Sequence, residues 1–108
     1  MDAHGQQLNQ VTEIVNNMPK QGPIFLAGDL NIRLNSGGYT TLKSWLSDFT
    51  DVFEGQTREQ THRNWNVVLD YMFANQQLLE QFTAKNHNRV DVAVVSDHFG
   101  LSVDLCTK

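Results

Sequence analysis

"VVLDYMFAN", residues 67–75, is the stretch on which the fold turns. Val67, Val68, Tyr71 and Phe73 are β-branched or aromatic, the types that suit a pleated, half-buried surface, so the segment reads as a strand. Asp70 interrupts it. Side chains alternate along a strand, so Asp70 shares a face with Val68 and Met72 and is expected to point inward. A buried, unpaired carboxylate costs on the order of several kcal/mol, so Asp70 needs a partner: an arginine, the backbone or an imidazole.

Downstream, "NQQLLEQF" (75–82) reads as a helical turn. "RVDVAVV" (89–95) alternates Val90, Val92 and Val94, and the last run alternates Phe99, Leu101, Val103 and Leu105 against Gly100, Ser102 and Asp104. These two strands are expected to pair antiparallel. Upstream, the polar "EGQTREQTHRNWN" (54–66) reads as a long loop and "DVF" (51–53) as a brief strand. Gly37 and Gly38 break the chain, after which Tyr39, Leu42, Trp45 and Leu46 give a short helix. "IFLAG" (24–28) is a continuous apolar run, expected to be a strand buried on both faces. From Gln6 to Met18, the residues Leu8, Val11, Ile14, Val15 and Met18 recur at helical spacing, and Pro19 ends that helix. The order predicts one α/β domain over residues 1–108: a mixed β-sheet with helices on one face.

Composition narrows the function classes. The chain has 108 residues, 40% hydrophobic and 19% charged, with a formal net charge of −4. That is a globular chain without the clustered Lys and Arg of a general nucleic-acid or anionic-membrane surface. One cysteine, Cys106, leaves no internal disulfide to form and reads as a buried or end-of-strand thiol. No apolar run reaches the ~18 residues of a transmembrane segment, and the opening "MDAHGQQLNQ" is polar. If the chain is the whole gene product, a cytoplasmic location is expected.

Several polar residues sit where a core alone would not put them. Asp29 and Asn31 follow an apolar strand directly, the place where α/β sheets gather ligands. Asp and Asn also cap turns through their own backbone, and "GDLN" alone does not choose between the two. Asp97 and His98 open the last apolar run. An imidazole takes a proton from water when its other nitrogen is held by an acceptor, and Asp70 is the natural holder. A satisfied structural histidine is the alternative. His4, His62 and His87 have polar neighbours and are expected to be solvated. Arg58 and Arg63 could touch a phosphate or simply be solvated charge.

"GDLN" (28–31), "LDYMF" (69–73) and "SDHF" (96–99), in this order, resemble the endonuclease/exonuclease/phosphatase superfamily. Its members hydrolyse phosphoesters with Mg²⁺ and include DNA-repair nucleases, inositol-phosphate phosphatases and neutral sphingomyelinases. Each motif is weak alone, and the ordered set is strong. The resemblance runs over essentially the whole chain. The opening "MDAHGQQLNQVTEIV" is similar to the segment that follows the family's T-H-x-D-A strand in sphingomyelinase-like members.

The resemblance implies roles. Asp29 would orient or deprotonate the attacking water, Asn31 would hold a non-bridging phosphate oxygen, and His98 would contact the phosphate and serve in proton transfer. Asp70 would orient His98. Asp97, with Asp29, would help hold Mg²⁺. It also implies incompleteness, because the family fold is a four-layer α/β sandwich of two similar halves, and this sequence resembles the C-terminal half. The other half supplies a Glu that is the principal metal ligand, an Asn beside it, and a His or Tyr at the phosphate. No residue here replaces that Glu: Glu13 lies in the first helix, and Glu54, Glu59 and Glu80 lie outside strand ends. Weak Mg²⁺ binding and little independent turnover of a phosphoester substrate are expected. A half-sandwich is further expected to leave one sheet face uncovered, so a homodimer or a completing N-terminal half should cover it. The remaining readings are a non-catalytic assembly module, a gene remnant and a fragment of a longer hydrolase.

Overall fold

The computed structural model describes residues 13–18, 21–30, 32–56, 58–91 and 96–108. Among these, the elements are β1 (Phe25–Asp29), α1 (Gly37–Trp45), β2 (Phe49–Asp51), β3 (Asp70–Asn75), α2 (Gln76–Gln81), β4 (Phe82–Val90) and β5 (Gly100–Thr107). Residues 13–17 form a further helical turn. The upstream part of the expected first helix, and Val92 and Val94, lie outside the described residues.

The strand read from "VVLDYMFAN" is the centre of the molecule. It is flanked by β1 and β2 in a three-stranded sheet of order β1-β3-β2, antiparallel throughout. Its alternation feeds two apolar clusters. Tyr71 and Phe73 join Leu30, Ile32, Tyr39, Leu42, Leu46 and Val68, with Val15 and Met18 packed against them. Met72 and Ala74 face the other way, toward Val52, Phe53, Leu78 and the inward residues of β4 and β5, Phe82, Ala84, Leu101 and Val103. The α/β class holds. Among the described residues the strands divide between two sheets, because β4 and β5 pair antiparallel with each other, as a hairpin packed on the Met72 and Ala74 side of β3.

The hairpin packs Phe82, Ala84, Leu101 and Val103 against the β3 part of that face, while Phe25 and Ala27, opposite Ala74 and Met72 on the same face, stay exposed. One correction concerns β1, which is exposed except at Leu26. Among the described residues it pairs only with β3, at the edge of the sheet. A continuous apolar run cannot by itself distinguish a central strand from an edge. A second is that Gly37 and Gly38 open α1 instead of breaking the chain. Ser36 is the N-cap, its hydroxyl accepting from the Tyr39 N–H at 3.2 Å, and the first helical turn has no intrahelical N–H bonds for glycine to weaken. Of the four residues that mark this helix in the sequence, Tyr39, Leu42 and Leu46 are buried and Trp45 is 39% exposed.

Side-chain hydrogen bonds tie the elements together. Asn75 is buried and caps α2 by accepting from the Leu78 N–H at 3.1 Å. The same oxygen accepts from Ile24 N–H at 2.9 Å, fixing the start of β1. Asp51 is buried on the helical side, where its carboxylate accepts from Tyr39 Oη at 2.8 Å, Arg58 at 2.7 Å and its near neighbour Phe53 N–H at 3.1 Å. Burial, then the bond to Asp51, pushes the Tyr39 phenol well above its ordinary value, so it remains a donor.

Candidate active site

The register of β1 on β3 builds the site. Asp29, last in β1, is the partner of Asp70, first in β3. Directly opposed residues in an antiparallel pair point to the same side, with Cβ atoms about 4.5–5.5 Å apart, and like charges so placed repel. Gly28 delivers Asp29 to this position with φ +150°, a backbone angle that a side chain would strain.

His98 offsets the repulsion. Its Nδ1 lies 2.8 Å from Asp70 Oδ2, and its Nε2 lies 3.6 Å from Asp29 Oδ2, beyond hydrogen-bond distance but within charge contact. The hydrogen bond to Asp70 raises the His98 pKa above its ordinary value. Partial burial opposes this, and the charges of Asp70, Asp29 and Asp97 add to it. The expected Asp70–His98 bond is therefore present, and both side chains are more than three-quarters buried. A ring whose Nδ1–H is held by a carboxylate presents Nε2 toward Asp29 and solvent in a fixed orientation.

The 54–66 segment, read as loop, carries Asp70 and His98 to one another. Thr61 is buried, and its hydroxyl accepts from the N–H groups of Leu69, at 2.8 Å, and Asp70, at 3.2 Å. Its carbonyl accepts from Phe99 N–H at 2.8 Å, and Arg63 N–H donates to Asp97 carbonyl oxygen at 2.6 Å. The result is an isolated antiparallel bridge between His62 and His98 just before β5. One threonine thus contacts the start of β3 with its side chain and the Asp97–Phe99 segment with its backbone.

His62 was expected to be solvated and is instead 6% exposed. Its Nε2 lies 3.3 Å from Asp97 Oδ2. Trp65 stacks on the ring at 4.2 Å, and His98 meets it edge-on at 5.0 Å. The lone aromatic of a polar run, Trp65 three residues after His62, is the signal in the sequence that could have found it. His87 is half-buried, edge-on to Phe53. Arg58 pairs with buried Asp51, and Arg63 pairs with Asp91 and lies over the Phe99 ring, so neither is simply solvated. Asn31 and His4 lie outside the described residues.

Two groups of ligand atoms converge: His62, Asp97 and His98, and Asp29, Asp70 and His98. Neither contains a glutamate. Glu54 pairs with Lys43 and Glu59 with Arg89. The Asp97 and Asp29 carboxylates are 60% and 45% exposed. They fall in different groups, which share His98, and each group mixes carboxylate oxygen with imidazole nitrogen as possible ligands for a divalent cation.

No curated protein matches the sequence at a significant level. Among solved structures, "beta toxin 275-280 from Staphylococcus aureus" shares the fold, with a TM-score of 0.60 and 19% sequence identity. The match covers 94% of this chain and 45% of the toxin chain. A family model, Endonuclease/Exonuclease/phosphatase family, matches residues 1–98, and the chain belongs to that family.

Proposed function

We propose that this chain carries the water-activating and proton-transfer part of a metal-dependent phosphoesterase site. The observation that carries the reading is His98, bonded at Nδ1 to Asp70 and facing Asp29 with Nε2. An imidazole whose charged form is favoured by its Asp70 bond, beside a carboxylate, offers an acid and a base within one reach. Asp29 orients a water and takes its proton as the water oxygen attacks phosphorus. His98 contacts a phosphoryl oxygen and donates its proton to the departing oxygen, and Asp70 keeps the ring charged and aimed. Asn31, two residues after Asp29 in the sequence, would hold a non-bridging oxygen, the role that the family resemblance implies. Asp97, with Asp29, would hold the divalent cation that members of the family generally use, and the cation would neutralise phosphoryl charge.

The site is completed from outside these residues. The chain spans under half of the toxin structure that it matches, and no glutamate joins either ligand group among the described residues. A second half, whether in a longer chain or a partner, supplies the principal metal ligand. A second copy of this chain is the other candidate, and exposed Phe25, Val90 and Leu105 are where it would dock. Sedimentation at micromolar concentration separates a dimer from a monomer. The chemistry is tested with bis-p-nitrophenyl phosphate and Mg²⁺ or Mn²⁺, reading both hydrolysis and perturbation of the backbone amide resonances around the rim. Slow turnover or binding that is lost in Asp29→Ala and His98→Ala supports the reading. Turnover or binding indifferent to both substitutions overturns it.

A further inference from the structure

His62 is buried, touches the rim, and has no role in the reaction as proposed. The group His62, Asp97 and His98 would suit a transition metal if both rings offered lone pairs. The hydrogen bonding of His62 argues otherwise. Its Nδ1 accepts from the backbone N–H of Asn64 at 3.2 Å. In the neutral ring only one nitrogen carries hydrogen, so an accepting Nδ1 places the hydrogen on Nε2. Nε2 is the atom that faces Asp97 Oδ2 at 3.3 Å. It therefore turns a hydrogen, and no lone pair, toward the carboxylate, at a contact slightly longer than an ordinary N–H···O bond.

The surroundings hold the ring in that orientation. Trp65 stacks nearly parallel on it, with an interplanar angle of 12°, and the edge contact with His98 is at 71°. The bonds Arg63 N–H to Asp97 carbonyl and Phe99 N–H to Thr61 carbonyl fix the backbone of both partners. Asp97 itself is the most exposed member of the rim, and an exposed carboxylate has several rotamers to lose on taking up an ion. A buried donor that restricts it lowers that loss.

We infer that His62 is a positioning residue whose Nε2–H holds the Asp97 carboxylate in place for a divalent cation, and that it is not itself a metal ligand. The inference rests on the reading that Asp97 helps hold the cation. The probe is Mn²⁺, read by paramagnetic broadening of the amide resonances around Asp97, with ¹⁵N shifts of the His62 ring giving its tautomer. Gln places an amide N–H near the position of Nε2, whereas Asn and Phe do not. In His62→Phe and His62→Asn, Mn²⁺ affinity should fall roughly 10- to 100-fold, as for other lost partners of metal-holding groups. In His62→Gln it should stay within about threefold of the parent, and the parent ring should show hydrogen on Nε2. Equal loss in the Gln and Phe variants, or a ring with hydrogen on Nδ1, overturns the inference. Asp97→Asn separates the two layers. If it weakens Mn²⁺ binding while His62→Phe does not, only the inference about His62 fails. If Asp97→Asn binds Mn²⁺ as well as the parent, both fail.

Discussion

Two Asp–His pairs meet at this rim, and they are built in opposite senses. In Asp70–His98 both side chains are largely buried, 18% and 24% exposed, and the carboxylate is the fixed member, anchored as the first residue of β3. In His62–Asp97 the imidazole is the fixed member at 8% exposed, and the carboxylate is 60% exposed. The first pair leaves an imidazole nitrogen facing outward, and the second leaves carboxylate oxygen. The buried partner positions, and the exposed partner is available to a ligand. One arrangement suits proton transfer and the other suits a cation, although both use the same two residue types.

The yardstick for both pairs is Asp51, an acid with no rim role. Its carboxylate is fully buried and pairs with Arg58, itself mostly buried. Asp51→Ala should cost about 3–5 kcal/mol, because it leaves a buried guanidinium uncompensated. Thermal or urea unfolding reads this, and a loss under about 1 kcal/mol would show that Arg58 finds water instead.

Asp70→Asn comes next, at about 1.5–3 kcal/mol, the range for a hydrogen bond to a charged group. It should also abolish most of the upward shift of the His98 pKa, whose largest cause is the Asp70 bond. If the shift persisted, the charges of Asp29 and Asp97 would be its source.

A third effect is pH dependence. His98 is raised above its ordinary value of about 6.5. Its stabilising contribution is therefore fully present below the unfolded value and is lost as pH rises through the folded value. Denaturation midpoints taken across that window should fall with pH in the parent and be flatter in Asp70→Asn. An equal slope in both would assign the dependence to another group.

The smallest effect on stability is expected from Asp97→Asn, within about 0.5 kcal/mol, as for other exposed positions. Its effect on Mn²⁺ binding should be large by contrast. Comparable loss of stability in Asp70→Asn and Asp97→Asn would erase the distinction between the two pairs.

How far the sequence reveals the two pairs follows from the same contrast. Asp70 was legible because a carboxylate within an apolar strand breaks a pattern and demands a partner, and His98 beside Asp97 at an apolar run was the visible candidate. His62 broke no pattern. It stands in a polar stretch, and its burial comes from long-range contacts with Trp65, Asp97 and His98 that periodicity does not encode. The edge position of β1 was hidden for a related reason. "IFLAG" is apolar enough for a central strand, and only sheet order decides that Phe25 meets solvent. The start of α1 was readable after all, since Ser36 three residues before Tyr39 is a helix-capping arrangement that outweighs two glycines.

The most direct measurement is an NMR pH titration of the His98 ring in the parent and in Asp70→Asn, each with and without bis-p-nitrophenyl phosphate and Mg²⁺. In the parent, His98 should stay charged to higher pH than an ordinary histidine, and its resonances should move when the phosphodiester is added. In Asp70→Asn, both the raised titration and the response to phosphodiester should be reduced. A His98 that titrates as an ordinary histidine in both proteins, and ignores the phosphodiester, would contradict the assignment of this rim to phosphoester chemistry.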